Sequence, residues 1–205
     1  MGDGTSINHR LSPTSAIPEG SGVTAIVTGE AHACAVVSGG VKCWGANLVG
    51  QVGNSENVDQ RRPVQTISAG SGATIVAAGH AHSCAVVSGG VQCWGYNYSG
   101  QIGNDTTDVQ YTPVKTISAG SGVVTVAAGF AYTCALVVDR VKCWGDNKYG
   151  QFGNGNTTDS YKPVDGPSFS TNLTDTTPDP FTFTDQTGVA LSTVVTSNAI
   201  AVTGI

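Results

Sequence analysis

Six cysteines are the residues of this chain whose type and spacing could do covalent chemistry. They form three pairs, each separated by nine residues: Cys34/Cys43, Cys84/Cys93 and Cys134/Cys143. Even, paired use of cysteine is typical of disulfides made in an oxidising compartment. The alternative is six reduced thiols that pack as small apolar side chains in a cytosolic protein. A metal site is disfavoured, because this step is not a zinc spacing and no His recurs at one position in all three blocks.

The cysteine pairs belong to a block that repeats three times at a step of 50 residues. Each block carries a Cys, then Cys-Trp-Gly, then Gly-Gln-x-Gly-Asn, and finally Pro-Val. Such fixed self-similarity indicates a unit that buries its apolar face against copies of itself.

Each block contains four short segments that favour β-strands. In the first block they span residues 23–28, 33–37, 41–44 and 63–67, and Gly or Ser-Gly stops the first two. β-Branched runs with these stops are typical of strands, and a leading Pro suits a strand start or an outer edge. No stretch combines helical apolar spacing with helix caps. The sequence therefore predicts an all-β fold, a β-propeller of four-stranded blades.

The turn between the second and third strands sets the cysteine geometry. Ser-Gly between two apolar runs predicts a two-residue hairpin turn at residues 38–39. Counting outward from that turn makes Cys34 and Cys43 directly opposed, in a non-hydrogen-bonded pair with Cα atoms about 4.5 Å apart. That separation suits a disulfide. The third block has Val138-Asp139 at the turn, which leaves its register open.

Two segments of the second block resemble the repeat of the regulator of chromosome condensation family. They are Ala-Ala-Gly-His-Ala-His-Ser-Cys-Ala-Val, residues 77–86, and Val-Gln-Cys-Trp-Gly-Tyr-Asn-Tyr-Ser-Gly-Gln-Ile-Gly-Asn, residues 91–104. The resemblance covers residues 1–165 and implies a seven-bladed propeller. It divides them into a partial repeat and three full repeats: 1–22, then about 23–67, 73–117 and 123–165.

Propellers close with roughly four to eight blades, so three full repeats predict an incomplete ring. Family members exchange guanine nucleotide on a small GTPase, inhibit an enzyme, sense light or lie in cell-surface proteins. The exchange activity depends on special loops of one member, which have no counterpart in this sequence. The cysteine pairs are not part of the general family pattern either. The resemblance therefore does not carry the exchange activity over.

After Pro163-Val164 the repeat pattern stops. Residues 166–180, rich in Ser, Thr and Pro, predict a linker or an exposed edge. Strands are expected at 180–184, 189–195 and 199–203. Residues 181–205 resemble the opening strands of the Ig-like β-sandwich modules of bacterial surface proteins, which makes them a fragment of such a module.

Composition and motifs argue against several functions. The net charge is −5, and Arg61-Arg62 is the only basic pair, which disfavours nucleic-acid binding. No apolar run approaches the roughly 18 residues of a membrane helix. The chain has no Gly-x-Ser-x-Gly or His-Glu-x-x-His motif, and Gly-Gln-x-Gly-Asn opens no helix that could cradle a phosphate. His82 shares its repeat position with His32 and Tyr132, which favours a structural hydrogen bond. We therefore predict no catalytic residue, no metal and no cofactor.

Paired cysteines predict an extracellular or cell-surface protein whose signal peptide is not in this chain; the alternative is a cytoplasmic protein. The leading hypothesis is a non-enzymatic protein-interaction module within a secreted or surface-anchored propeller. The runner-up is a cytosolic propeller that regulates a small GTPase or inhibits an enzyme. A third is an architectural spacer between surface modules.

Comparison of the three repeats indicates where a protein partner would bind. Positions that are fixed in all repeats must serve the blade, whereas the variable positions follow Trp-Gly and precede Pro-Val. Tyr and Arg are favoured in contact cores. The candidates are these exposed-loop residues: Tyr96, Tyr98, Tyr111, Tyr149, Tyr161, Arg61 and Arg62. The alternative is that these loops vary because nothing constrains them. The other partners expected are the remaining repeats of a longer chain, or further copies of this one.

Overall fold

The structure, a computed structural model, describes residues 2–4, 15–168, 183–184 and 190–191. The chain divides into two units, Met1–Ser168 and Phe169–Ile205. In the first unit, three four-stranded antiparallel sheets follow one another along the sequence. In each sheet the strands lie in chain order, so every connection within a sheet is a hairpin.

These three sheets are the predicted blades. Blade 1 consists of β1 (Val23–Thr28), β2 (His32–Val37), β3 (Gly40–Gly45) and β4 (Gln60–Ile67). Blade 2 consists of β5 (Ala73–Ala78), β6 (His82–Val87), β7 (Gly90–Gly95) and β8 (Gln110–Ile117). Blade 3 consists of β9 (Val123–Ala128), β10 (Tyr132–Val137), β11 (Arg140–Gly145) and β12 (Ser160–Ser168). The first strand of each blade packs against the first strand of the next, and the ring is not closed.

The predicted hairpin register is confirmed. Val37 pairs with Gly40, and the count outward brings Cys34 opposite Cys43. Ser38 and Gly39 both take positive φ angles, 49° and 70°, as a two-residue turn of this kind requires. The third hairpin keeps the same register although the β-branched Val138 occupies a positive φ of 57°.

A disulfide joins each cysteine pair, with Cα atoms 4.0–4.1 Å apart, close to the separation expected for directly opposed residues. The described residues include no free cysteine.

The fourth strand of each blade is longer than the sequence indicated. β4 begins at Gln60, so Pro63 lies inside the strand and not at its start. The strand tolerates proline because β4 is the outer edge of its sheet, where an absent N–H breaks no ladder. β12 likewise continues to Ser168, so residues 166–168 belong to a strand and not to the predicted linker.

The hydrophobic core lies between blades and not within any one of them. Cys34, Val36 and Val41 on one face of blade 1 pack against Val76 and Trp94 of blade 2. The equivalent faces of blades 2 and 3 build a second core of the same design. Because each blade buries its faces only against neighbours, the repeat needs adjacent copies to be stable.

In the second unit, β13 (Phe183–Thr184) pairs with β14 (Ala190–Leu191). These short strands fall within two of the three predicted segments. The predicted strand at 199–203 and most of the linker lie outside the described residues. The resemblance of residues 181–205 to an Ig-like module therefore stays a prediction.

Candidate interaction surface

The two ends of each blade differ in the length and variety of their connections. One end of each blade carries two connections: the turn after the first strand and the long segment after the third strand. In blade 1 these are residues 29–31 and 46–59. A hydrogen bond joins them, because Ala46 N–H donates to Ala31 O. We call this end of the three blades the loop face. At the opposite end the 38–39 turn bonds to the glycine-rich connection between blades, through Gly70 N–H and Ser38 O. The variable positions of the repeat therefore gather on the loop face.

A fixed asparagine braces each long loop. Asn47 is fully buried, its Oδ1 accepts from Val52 N–H at 2.9 Å, and its Nδ2 donates to the Glu56 and Val58 carbonyls. Asn97 and Asn147 repeat this arrangement in the other blades. An amide can accept one bond and donate two at once, whereas a carboxylate only accepts and a hydroxyl has a single proton to donate. The loop backbone is thus held by residues that do not vary, and the variable side chains project from a fixed frame.

Three of the predicted partner-binding tyrosines lie on this loop face. Tyr98 is 66% exposed and its ring lies 4.7 Å from that of the half-buried Tyr96. Tyr149 is 80% exposed, and Lys148 Nζ lies 5.0 Å from the centre of its ring. No hydrogen bond between blades depends on these side chains among the described residues, so they are available to a partner.

Tyr111, Tyr161 and Arg61 occupy one repeat position and help to join adjacent blades. The Tyr111 carbonyl accepts from Ser55 N–H at 2.9 Å, and the Tyr161 carbonyl accepts from Asp105 N–H at 2.8 Å. The Arg61 carbonyl accepts in the same way from Gly4 N–H. These are backbone contacts from the outer strand of one repeat to the loop of the repeat before it.

The side chains at this position also pack on the neighbouring repeat. The Tyr111 ring lies against Gly50, and the Tyr161 ring against Gly100, where a Cβ would collide with it. In blade 1 it is the next residue, Arg62, whose side chain lies against Gly4. Sequence comparison alone could not separate these contacts between blades from the exposed tyrosines, because both sets vary from repeat to repeat.

The structure also joins three residues that sequence reasoning did not select. Glu30, His80 and Phe130 follow the first strand of successive blades, at one repeat position. His80 Nε2 lies 2.5 Å from Glu30 Oε2, and the His80 and Phe130 rings lie 4.1 Å apart. Because their types differ, they do not look like a recurring ligand set. Their shared repeat position was the signal that they would meet, since adjacent blades place equivalent positions side by side.

His32 and His82 serve the fold, as the repeat comparison predicted. His32 Nε2 lies 2.8 Å from Ser83 Oγ, which itself donates to the Gln51 carbonyl at 3.0 Å. The hydroxyl proton is thus used, so His32 must donate from Nε2 and is the neutral Nε2–H tautomer. The Trp94 indole N–H donates to the same Gln51 carbonyl at 3.0 Å. His82, Thr133, Trp144 and Gln101 repeat the arrangement between blades 2 and 3.

Burial keeps both imidazoles uncharged. Desolvation, with a smaller repulsion from the neighbouring histidines, lowers the pKa of His82 to about 3. Desolvation, and secondarily His80, lowers the pKa of His32 to about 4. The Nδ1 atoms of both rings are buried without a hydrogen-bond partner in the part of the chain that the structure describes. Protonation there would bury an uncompensated N–H, so these histidines are poor candidates for binding or proton transfer.

Within the described ranges, no three His, Cys, Asp or Glu side chains are grouped so that they could hold a metal ion. None of the described segments forms a helix with the length and hydropathy needed to cross a bilayer.

The sequence pattern described as the regulator of chromosome condensation (RCC1) repeat matches residues 38–86 and 88–136, and a second pattern of the same description matches residues 123–151. This chain is built from RCC1 repeats. The matched residues run from the hairpin turn of blade 1 into the Gly-Gln-x-Gly loop of blade 3. A comparison with curated protein sequences finds no significant match.

Solved structures of RCC1-like propellers have the same fold. Human WBSCR16 is 25% identical over 72% of this chain and 40% of its own, with a TM-score of 0.63. Prp20p of Saccharomyces cerevisiae, whose binding to Gsp1p and histones its structure report describes, is 21% identical over 73% of this chain and 39% of its own, with a TM-score of 0.63. Yeast RCC1 (Prp20) bound to Kap60 gives a TM-score of 0.64 at 21% identity, over 73% of this chain and 38% of its own. The chain thus spans about two fifths of the length of these propellers.

Proposed function

We propose that this chain is part of a secreted or cell-surface RCC1-type propeller that binds a protein partner through its loop face and performs no catalysis. The observation that carries the proposal is that each blade uses different side chains for packing and for the exposed loop surface. Buried, repeated side chains hold the blades together, whereas exposed aromatic side chains that differ between repeats project from the braced loops. Loops on a rigid scaffold are where binding residues concentrate.

The disulfides support the proposed location. Cys34, Cys43, Cys84 and Cys93 are fully buried, so their oxidised pairs are part of the cores between blades. Disulfides persist in oxidising compartments and are rare where glutathione keeps thiols reduced. The structure of yeast RCC1 (Prp20) bound to Kap60 supports a protein-binding role in general, and leaves the partner of this chain to be found.

The loop-face proposal is tested with a photo-crosslinking residue at Tyr98 and, as a control, at Ser88 in the turn at the opposite end of the same blade. Both positions are exposed. The full propeller carrying the crosslinking residue is expressed in, or added to, the cells that produce it. We expect one protein to crosslink from position 98 and not from position 88. Crosslinks from neither position, or equally from both, would refute recognition by the loop face and favour a spacer.

The location is tested by the cysteines. Protein taken from its native source, denatured and alkylated without reductant, should carry no alkylated cysteine. Six alkylated cysteines would instead place the propeller in the cytosol and favour the alternative function, regulation of a small GTPase or inhibition of an enzyme.

We also propose that the face of blade 3 that no blade covers among the described residues, called the uncovered face, docks a further repeat of a longer chain or, when this chain is expressed alone, another copy of it. Leu136 and Val141 are half-buried on that face. Apolar faces and unpaired strand edges promote association. Light scattering after size exclusion should show self-association or poor stability, and a stable monodisperse monomer would contradict this expectation.

A further inference from the structure

Glu30, His80 and Phe130 form a continuous row across three blades, which we call the axial row because it follows the inner strands. One end of the row is a carboxylate, 62% exposed, and the other is a phenyl ring, 71% exposed. The His80 imidazole links them, through a 2.5 Å contact with Glu30 and a 4.1 Å ring contact with Phe130.

The row stands on a rigid base. It follows three equivalent turns that begin at Gly29, Gly79 and Gly129, and these turns approach so closely that a Cβ on Gly29 would collide with the carbonyl of Gly79. Gly79 meets the carbonyl of Gly129 in the same way. The three side chains are therefore held in a fixed order, and among the described residues they make no hydrogen bond within the cores between blades.

The chemistry of the row matches a long basic side chain. Lysine and arginine combine an apolar stem with a cationic head. Laid along the row, such a side chain places its stem over the Phe130 and His80 rings and its head at the Glu30 carboxylate. The surroundings favour a cation, because the loop-face segments 29–31 and 46–59 of blade 1 carry Glu30, Glu56 and Asp59 but no Lys or Arg. The equivalent segments of blade 2 carry Asp105 and Asp108 with no Lys or Arg. Those of blade 3 carry Asp146, Asp159 and one cation, Lys148, so the segments of the three blades together are acidic.

We propose that the axial row is the anchor site for a lysine or arginine side chain of the protein partner. This inference rests on the proposed function, since it names the chemistry that the loop face selects. The neighbouring Tyr96 extends the surface outward, because its N–H donates to Ala81 O directly beside His80. The partner is accordingly a polypeptide with an exposed basic residue, and not an acidic or purely apolar segment.

Nuclear magnetic resonance titration of the whole 205-residue chain tests the proposal, at a concentration at which light scattering shows a single folded species. The probes are acetyl-Gly-Arg-Gly-amide, its norleucine analogue, which keeps an apolar stem without the charge, and its glutamate analogue. We expect the arginine peptide to shift the amide resonances of residues 29–31, 79–81 and 129–131 in a saturable way. The norleucine peptide should bind about three- to fivefold more weakly, since an exposed cation contributes about that much. The glutamate peptide should cause no saturable shift.

Two variants and a matched control sharpen the test. Glu30→Gln should reduce arginine binding to the norleucine level, and Phe130→Ala should weaken both peptides. Glu19→Gln removes an exposed carboxylate in the segment before β1, outside the loop face, and should change nothing. Equal binding of all three peptides, shifts elsewhere on the loop face, or insensitivity to Glu30→Gln would each overturn the proposal.

The two proposals can fail separately. A partner that still crosslinks from position 98 while the arginine peptide ignores the axial row would leave the loop face standing and remove only the basic anchor. Absence of any crosslink, with saturable arginine binding at the row, would remove the partner-binding function and keep the site.

Discussion

Blade 2 and blade 3 have the same strands, the same register and the same disulfide, yet they differ in what covers them. Blade 2 lies between two neighbours, and its Val86 and Val91 are buried. The equivalent Leu136 and Val141 of blade 3 are half-buried, because no blade follows on that side among the described residues. The comparison shows that local sequence forms the blade, whereas the neighbour buries its apolar faces, and we expect most of its stability to come from that burial.

The largest difference that we expect between the two blades is in how their stability depends on pH below 6.5. His82, sealed between blades 2 and 3, has a pKa lowered to about 3, against 6.5 for the exposed group. Its contribution to stability is complete above pH 6.5, where it is neutral in both states, and is lost as pH falls from 6.5 towards 3, since the unfolded chain then binds the extra proton. From these pKa values we expect His82 to reduce the unfolding free energy by about 3 kcal/mol at pH 4.

His82→Gln keeps a neutral donor for Thr133 and removes the titration. It should reduce the dependence of the unfolding free energy on pH by roughly half in chemical denaturation between pH 7 and 4, because His32, with its pKa lowered to about 4, still titrates. Tyr132→His places an imidazole at the equivalent position of blade 3, where no further blade lies among the described residues, and should add little acid sensitivity. Equal pH profiles for His82→Gln and the unaltered chain would contradict the assignment.

The disulfides provide the second contrast. Each closes a loop small enough that its removal costs about 2–3 kcal/mol on the loop-entropy treatment. A reductant should reach the three disulfides unequally. Cys84 and Cys93 are fully buried, whereas Cys134 is half-buried on the uncovered face. Exchange requires a thiolate to reach a sulfur. Under limiting reductant, alkylation and peptide mapping should find Cys134–Cys143 opened first; simultaneous opening of all three pairs would mean that blade 3 is covered.

A matched pair of valine substitutions measures the neighbour directly. Val91→Ala removes two methyl groups from the core between blades 2 and 3 and should cost about 2 kcal/mol of unfolding free energy. Val141→Ala makes the same change at the equivalent, half-buried position and should cost less than about 1 kcal/mol. Denaturant titration compares the two variants. Equal losses would show that something covers blade 3 after all.

The smallest effects belong to the loop face. Tyr98→Ala should change stability by no more than about 0.5 kcal/mol, because its ring is exposed and joins no blades. Tyr111→Ala should cost about 1 kcal/mol, since its ring packs on Gly50 of the preceding blade. Thermal denaturation separates the two, and a larger loss for Tyr98→Ala would reverse our division of these tyrosines.

Much of the blade could be predicted because its signals are local. The Ser38-Gly39 turn fixes the hairpin, and counting outward opposes Cys34 to Cys43. The start of the fourth strand was missed, since Pro63 obscures a strand that pairs only on one side. The residues before Pro63 do not themselves indicate that they form part of an edge strand, where a proline is tolerated.

The candidate site was less predictable, because it depends on which residues adjacent blades bring together. Tyr111 and Tyr98 look alike in sequence, yet one packs on a neighbouring glycine and the other projects into solvent. Glu30, His80 and Phe130 look unrelated until successive blades place them in contact. The repeat step predicts which positions of adjacent blades come into contact. The chemistry of such a contact depends on which residue types occupy that position in each repeat.

The shared acceptor at Gln51 is synthesised before the two groups that bind it. Its carbonyl belongs to the earlier blade, and the hydroxyl of Ser83 and the indole of Trp94 that bind it belong to the later one. During synthesis from the N-terminus, the Gln51 carbonyl therefore leaves the ribosome before its two donors. Each new blade brings the groups that complete the core with the blade before it, so a propeller of such repeats can be built in chain order while the rest is still being translated.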